Sequence, residues 1–255
     1  MIVYDWKDLK VFSKTDLFSK GTAISVGSFD GLHLGHRFLL NNLVQKAREH
    51  SLVPGLITFK RPLPAIKHSS DYAGDISSLR QRLKLFEQLG IEFVFVVDFD
   101  DDFSKLRGID FLSMLSQNLN MQLLAEGIDF RCGYKGATDT QAIKYWASQN
   151  NVECIFVDPV YYTEADGQQE RVSSSYIRVM LLKGFFITAA ELLQHPYELD
   201  AAQMRKNLEA GEPFIQLLPP DGIYHPLSEN NEQIRLEISE GKVLSVPDCD
   251  TLIFS

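Results

Sequence analysis

Cysteine is scarce in this chain, and what there is does not pair. Cys132, Cys154 and Cys249 are odd in number, far apart, and include no Cys-x-x-Cys. That excludes a disulfide framework and a cysteine-rich zinc site, and leaves small buried apolar residues in a reducing compartment. Long apolar runs are missing too: none reaches the ~20 residues of a membrane span. The opening residues, MIVYDWKDLKVFSK, lack a basic segment leading into an apolar core and do not read as an export signal. The expectation is a cytoplasmic protein without a membrane partner. Basic charge is in deficit, with 25 Lys and Arg against 34 Asp and Glu, for a formal charge of −9. Nucleic acid and anionic membranes require a basic field, so neither is expected, while a local basic pocket for phosphate is compatible. There is no internal repeat and no low-complexity tract.

What is present is an ordinary globular composition, 45% hydrophobic and 23% charged over 255 residues. That is enough for one large domain or a large and a small one. TAISVG (22–27) is an apolar, β-rich run ending in glycine. After it, Leu39, Leu40, Leu43, Val44 and Ala47 fall at helical spacing. Strands are expected over 52–59, 91–99, 121–128 and 152–158, and helices over 79–90, 111–119 and 139–150. This alternation implies an α/β fold, a parallel sheet with helices on both faces and right-handed crossovers. Ligands of such sheets bind beyond the carboxyl ends of the strands, and the end of TAISVG is such a position. The pattern changes near residue 185. TAAE (188–191) reads as a capping box with Thr188 as N-cap and Glu191 at N3, in a short helix ended by Pro196. A polar helix over 200–212 follows. The rest is turn-rich and β-like, punctuated by Asp221-Gly222, Asn230-Asn231 and Glu240-Gly241.

The chemistry concentrates in SVGSFDGLHLGH (25–36). His33 and His36 could share one helix face and hold a metal, but zinc needs a third and usually a fourth ligand. His50, His68, His195 and His225 form no second cluster. DFDDDF (98–103) could suggest magnesium, yet reads better as a solvated strand end and helix start. The phosphate reading fits the opening stretch best. A strand, a glycine turn and a helix N-terminus present free N–H groups and the helix dipole to an anion. Gly27, Gly31 and Gly35 give room at the backbone, and two imidazoles add donors.

These residues resemble the G-x-F-D-x-x-H-x-G-H signature of the HxGH nucleotidyltransferases. More narrowly they resemble the bacterial FAD synthetases, usually bifunctional as riboflavin kinase/FMN adenylyltransferase. GIDFRCGYKG (127–136) is similar to the family's G-x-D-F-R-F-G cleft segment, and RVSSSYIR (171–178) to its R-I-S-S-T-x-I-R. Physically, Ser173 to Ser175 can cap a helix and offer hydroxyls to phosphate, with Arg178 one turn in. The resemblance implies a Rossmann-like nucleotidyltransferase domain over 1–186. It also implies catalytic roles for His33, His36 and Arg178. Gly27, Ser28, Phe29, Asp30, Gly35, Ser174 and Ser175 would serve the ATP phosphates, and Asp129, Phe130 and Gly133 the flavin side of the cleft. Asp129 otherwise reads as a residue fixing the turn before Gly133.

The chain departs from the family at Ser28, where Asn is usual, and in TFKRPLP (58–64), which lacks a histidine. The stretch 60–76 reads as a flap over the site or as a surface loop. Residues 187–255 resemble a shortened riboflavin kinase barrel, small and mainly β, without the family's G-x-P-T-A-N and N-x-G-x-x-P-T segments. The expected activity is therefore formation of FAD and pyrophosphate from FMN and ATP, without riboflavin kinase activity. Mg²⁺ would enter with ATP, with no metal site of the protein's own. A flavin- or nucleotide-binding module with weak catalysis, or an HxGH transferase with another substrate, stand as alternatives. Oligomeric state is not readable from the sequence.

Overall fold

Strands buried on both faces organise the first of two units in the computed structural model, which describes residues 1–11, 18–62, 72–164 and 167–254. The division does not follow one cut in the chain. One unit takes Met1–Ser28, His36–Ile66 and Lys84–Pro159, and the other takes Phe29–Gly35, Lys67–Leu83 and Val160–Ser255.

The first unit is built from β1 (Ile2–Asp5), β2 (Thr22–Val26), α1 (Leu34–Glu49), β3 (Val53–Phe59), α2 (Leu79–Gln88), β4 (Phe93–Val97), α3 (Asp101–Ser104), α4 (Gly108–Leu119), β5 (Met121–Gly127), α5 (Thr140–Gln149) and β6 (Glu153–Val157), with α1 and α2 beginning in the other unit. Its six strands pair in parallel in the order β1-β4-β3-β2-β5-β6. β2 and β3 are buried at every position, as the near-continuous apolar runs of a covered parallel sheet require. Phe111, Leu112 and Leu115 of α4 and Ile143, Trp146 and Ala147 of α5 pack with Ile24, Ile57, Phe93, Phe95 and Leu124 of the sheet. α1 buries the stripe Leu39, Leu40, Leu43, Val44 and Ala47, as its spacing predicts. The edge strand β1 was not legible: its residues are mostly exposed, and only its non-local pairing with β4 makes it a strand. DFDDDF begins just after β4 ends at Val97 and starts a helix, since the Asp100 carboxylate accepts the Phe103 N–H at 2.9 Å and caps α3.

The strand order reverses between β2 and β5, and there the ladder opens. The β2–β5 register ends at Ile24↔Leu124. β2–β3 runs on to Val26↔Ile57, and β5–β6 to Gly127↔Val157. A crevice at such a switch point is where open α/β sheets bind ligands.

The second unit holds β7 (Tyr161–Thr163), β8 (Gln169–Arg171), α6 (Ser174–Leu182), α7 (Phe186–Leu193), β9 (Tyr197–Asp200), α8 (Ala201–Ala210), β10 (Gly222–Tyr224), β11 (Leu227–Ser228), β12 (Leu236–Ser239), β13 (Lys242–Val243) and β14 (Thr251–Phe254). Its C-terminal strands form two small antiparallel sheets, β10-β12-β13 and β11-β14-β9. Glu240 and Gly241, both left-handed, make the two-residue turn joining β12 and β13. The core joins Ile177 and Leu181 of α6, Leu192 and Leu193 of α7, and Leu199, Leu252 and Phe254 of the β9-β14 pair.

The capping box expected at Thr188 is not formed. The N-cap position of α7 is Phe185, three residues earlier, and it makes no side-chain cap. Thr188 and Glu191 sit inside the helix, and the Glu191 carboxylate instead accepts the Tyr162 hydroxyl at 3.1 Å. A formed capping box occurs at Ser78 and Gln81: the Ser78 N–H donates to Gln81 Oε1 at 2.9 Å, and the Gln81 N–H to Ser78 Oγ at 3.2 Å. Of the flap expected over 60–76, residues 63–71 lie outside the described residues. Gly74, Asp75 and Ile76 are buried and hydrogen-bonded, so that end is not a loose surface loop.

Candidate active site

The turn Phe29–Gly35 carries unusual backbone. Phe29 (φ 48), Gly31 (φ 77) and Leu32 (φ 41) are all left-handed. For a side chain other than glycine this costs about 1–2 kcal/mol per residue, so Phe29 and Leu32 must be held there. Burial does part of this, since Phe29 and Leu32 are 3% and 0% exposed. Gly31 is needed for a different reason than an approaching phosphate. A Cβ there would lie 2.9 Å from Ile76 Cγ2 and from Leu193 Cδ2, so the room is filled by the protein itself.

Asp30 supplies the rest of the hold. Its buried carboxylate accepts the N–H groups of Ile76 and Ser77, both at 3.0 Å, and the Ser77 hydroxyl at 3.2 Å. It forms an ion pair with Arg178 Nη2. Ser77 Oγ also accepts the Gly31 N–H at 2.9 Å. The Asp30 carbonyl takes the Ser174 hydroxyl at 3.0 Å, and His195 Nε2 lies 3.2 Å from the Gly31 carbonyl.

Arg178 is placed by α6, whose N-cap Ser173 accepts the Tyr176 N–H at 3.2 Å. Its guanidinium meets two further residues besides the carboxylate. Nε donates to the Gly74 carbonyl at 2.8 Å, Nη2 to the Tyr72 hydroxyl at 2.8 Å, and the plane lies 4.8 Å from the Tyr72 ring centroid. No described residue accepts from Nη1. Burial, with the charges of Asp30 and Asp75 nearby, pushes the Tyr72 phenol up. His33 sits in the same cluster, 5% exposed, with its ring against Gly35. Burial first, then the charges of Arg171 and Arg178, lower its pKa from 6.5 to about 3. His33 is therefore a neutral imidazole at physiological pH, one N–H donor and one lone pair rather than a cation.

Phe29, Asp30, His33, Gly35, Ser174 and Arg178 thus come together in one unit. Ser174 spends its only proton on the Asp30 carbonyl, while Ser175 is exposed on the first turn of α6. The other expected residues belong to the first unit. Gly27 continues β2 with its N–H on the Ile57 carbonyl at 3.0 Å. The Ser28 carbonyl accepts the Thr58 hydroxyl at 3.4 Å. His36 is half-buried in the first turn of α1. Asp129 is exposed, and Phe130 is half-buried against the core of its unit. Gly133 (φ 76) is where glycine is obligatory, since a Cβ would lie 2.1 Å from the Gly108 N at the start of α4.

Sequence reasoning missed Tyr72, Gly74, Ser77, Arg171 and Glu126. Arg171 lies inside RVSSSYIR, and the S-x-x-Q at 78–81 marks where the buried segment ends. The signal that could have found Glu126 is an acid within the apolar strand β5. Glu126 is 2% exposed and its Oε1 accepts the Val26 N–H at 2.6 Å, where the β2–β5 ladder has given out. Burial drives its carboxyl well above the ordinary range despite the Val26 N–H and the Ser25 side chain, which favour the charged form. Among the described residues no group of three or more His, Cys, Asp and Glu is placed to hold a metal, and no helix is long and apolar enough to cross a membrane.

Residues 16–176 match the family model for FAD synthetase. The bifunctional riboflavin kinase/FMN adenylyltransferase of Buchnera aphidicola subsp. Schizaphis graminum is 27% identical over 191 residues, covering 74% of this chain. The chain spans only 60% of that relative's length. The FAD synthetase of Listeria monocytogenes serovar 1/2a is 23% identical over 228 residues, 88% of this chain and 90% of that protein. The crystal structure of a macrolide-efflux protein from Streptococcus pneumoniae has a TM-score of 0.72 at 22% identity, covering 100% of this chain and 85% of that one. At that identity the likeness speaks for the fold alone.

Proposed function

The chain belongs to the FAD synthetase family, and on that premise we propose that it is an FMN adenylyltransferase, making FAD and pyrophosphate from FMN and MgATP. An oxygen of the FMN phosphate attacks the α-phosphorus of ATP in line. The bond from the α-phosphorus to the bridging oxygen breaks, and pyrophosphate leaves with that electron pair. A phosphate monoester is mostly dianionic at neutral pH, its second pKa being about 6, so no general base is needed. Catalysis is positioning and charge neutralisation.

The observation that carries this reading is the strained turn with a neutral His33 beside Arg178. In this reading His33, from the turn, and His36, from the first turn of α1, serve the triphosphate. Arg178, oriented through Nε and Nη2, offers Nη1 to the β- and γ-phosphates, with the Ser175 hydroxyl near it in sequence. Asp30 is already saturated by Ile76, Ser77 and Arg178 and is a poor cation ligand. Mg²⁺ accordingly arrives as part of the substrate, and no step is assigned to a metal site of the protein.

Riboflavin kinase activity is proposed to be absent, with residues 1–186 as the transferase domain and 187–255 as a part without kinase function. The missing P-T-A-N and N-x-G-x-x-P-T segments support this. The test is to incubate the full chain with MgATP and either FMN or riboflavin and to resolve the flavins. FAD from FMN supports the reading. FMN from riboflavin overturns the loss of kinase activity. Tight FMN binding without turnover favours a binding module, and neither binding nor turnover favours a transferase of another substrate.

A further inference from the structure

Residues 215–217 belong to the C-terminal part, yet they build the segment on which Arg178 rests. The Asp75 N–H donates to the Ile215 carbonyl at 2.9 Å and the Leu217 N–H to the Asp75 carbonyl at 2.8 Å, a parallel bridge between Asp75 and Gln216. The approach is close enough to require glycine. A Cβ on Gly74 (φ 131) would lie 2.7 Å from the Leu217 N. The Gly74 carbonyl is the acceptor for Arg178 Nε, and the next two N–H groups after Asp75, those of Ile76 and Ser77, hold Asp30. The Asp75 charge lies near the phenol of Tyr72, whose ring lies against Arg178.

Gln216 closes this arrangement with its side chain. Its buried carboxamide donates to the carbonyls of Ile76 (2.9 Å) and Glu198 (2.6 Å) and to Gln81 Oε1 (3.2 Å). Its Oε1 accepts the Asp200 N–H at 3.0 Å. Only an amide meets that pattern, donor on one side and acceptor on the other. Tyr197 of β9 anchors the same stretch through a hydrogen bond to the Leu217 carbonyl.

We propose that the C-terminal part is a structural component of the triphosphate site, with segment 215–217 latching residues 74–77 and Gln216 acting as a positioning residue for Arg178. The ligand class is the anionic triphosphate of the reading above, on which this inference rests. The latch acts through Arg178 and Asp30 and touches no substrate itself.

The experiment is a double-mutant cycle on the full chain, read as MgATP affinity by calorimetry without FMN, alongside FAD formation and thermal melting. Gln216→Glu is nearly isosteric but turns the donor toward three acceptor oxygens. It is expected to weaken MgATP binding about tenfold to hundredfold, and by no more than about twofold when Arg178 is already Ala, because coupled residues do not add. If Gln216→Glu lacks a cooperative melt, Gln216→Met, similar in volume, is read in the same way. Equal losses in both backgrounds, or wild-type affinity in the variant, overturn the latch. Wild-type protein that binds MgATP with an intact cycle but forms no FAD overturns the proposed reaction and leaves the latch standing. FAD formation with no coupling overturns the latch alone, and no MgATP binding by the wild type overturns both.

Discussion

Arg178 and Asp30 are 148 positions apart in the chain and form a buried ion pair. Through that pair the first turns of α6 hold a loop whose backbone is left-handed at Phe29, Gly31 and Leu32. The loop's strain, the neutral state of His33 and the orientation of the guanidinium are consequences of one cluster.

Arg178→Met leaves the Asp30 carboxylate buried with only its N–H and hydroxyl donors, and is expected to cost about 3 kcal/mol of stability. Arg178→Lys should not restore it, because a point charge cannot serve the Gly74 carbonyl, Tyr72 hydroxyl and Asp30 together. Urea unfolding of the three proteins checks this. Wild-type stability in the lysine variant contradicts it.

His33 gives a stability signature in acid. The unfolded chain takes up a proton near pH 6.5 and the folded one only near about 3. Stability is thus unaffected above pH 6.5 and falls as pH drops toward 3, by up to about 1.4 kcal/mol per unit. His33→Asn should remove that slope. Parallel stability curves for variant and wild type between pH 7 and 5 would show that His33 titrates normally.

Glu126 behaves in the opposite sense. Its carboxyl is raised by burial, so above its ordinary range the folded state keeps a proton that the unfolded chain has released. Stability then declines as pH rises, with a limiting slope of about 1.4 kcal/mol per unit. Glu126→Gln retains an acceptor for the Val26 N–H and should gain on the wild type as pH rises from 5 to 8. A variant that loses ground over that interval contradicts the assignment.

How much of this was legible depended on range. Local periodicity placed α1, β2, β3 and β5, because their apolar patterns match the faces they bury. β1 stayed hidden because it is short, mostly exposed and made only by β4. The false cap at Thr188 shows tertiary packing winning, since Phe186 packs half-buried against the core of its unit as the first residue of α7. His33, His36 and Arg178 were visible as motif residues. The partners Tyr72, Gly74, Ser77 and Gln216 were not, because no local spacing links residues 30, 74–77, 178 and 216.

Gly31→Ala is expected to cost about 2–4 kcal/mol, combining left-handed strain with overpacking against Ile76 and Leu193. Gly211→Ala is the control. It has the same backbone sign but nothing within 4 Å of the added methyl, so it should cost only about 1 kcal/mol. Thermal or urea unfolding compares the two, and equal costs would mean that the packing around Gly31 is loose.

The most direct measurement follows a labelled α-phosphate. The full chain is incubated with FMN and MgATP labelled either at the α- or at the γ-phosphate, and the flavin product and the released phosphates are separated. Adenylyl transfer predicts α-label in FAD and γ-label in pyrophosphate. γ-Label in a flavin, or no label in any flavin under either condition, would contradict the account.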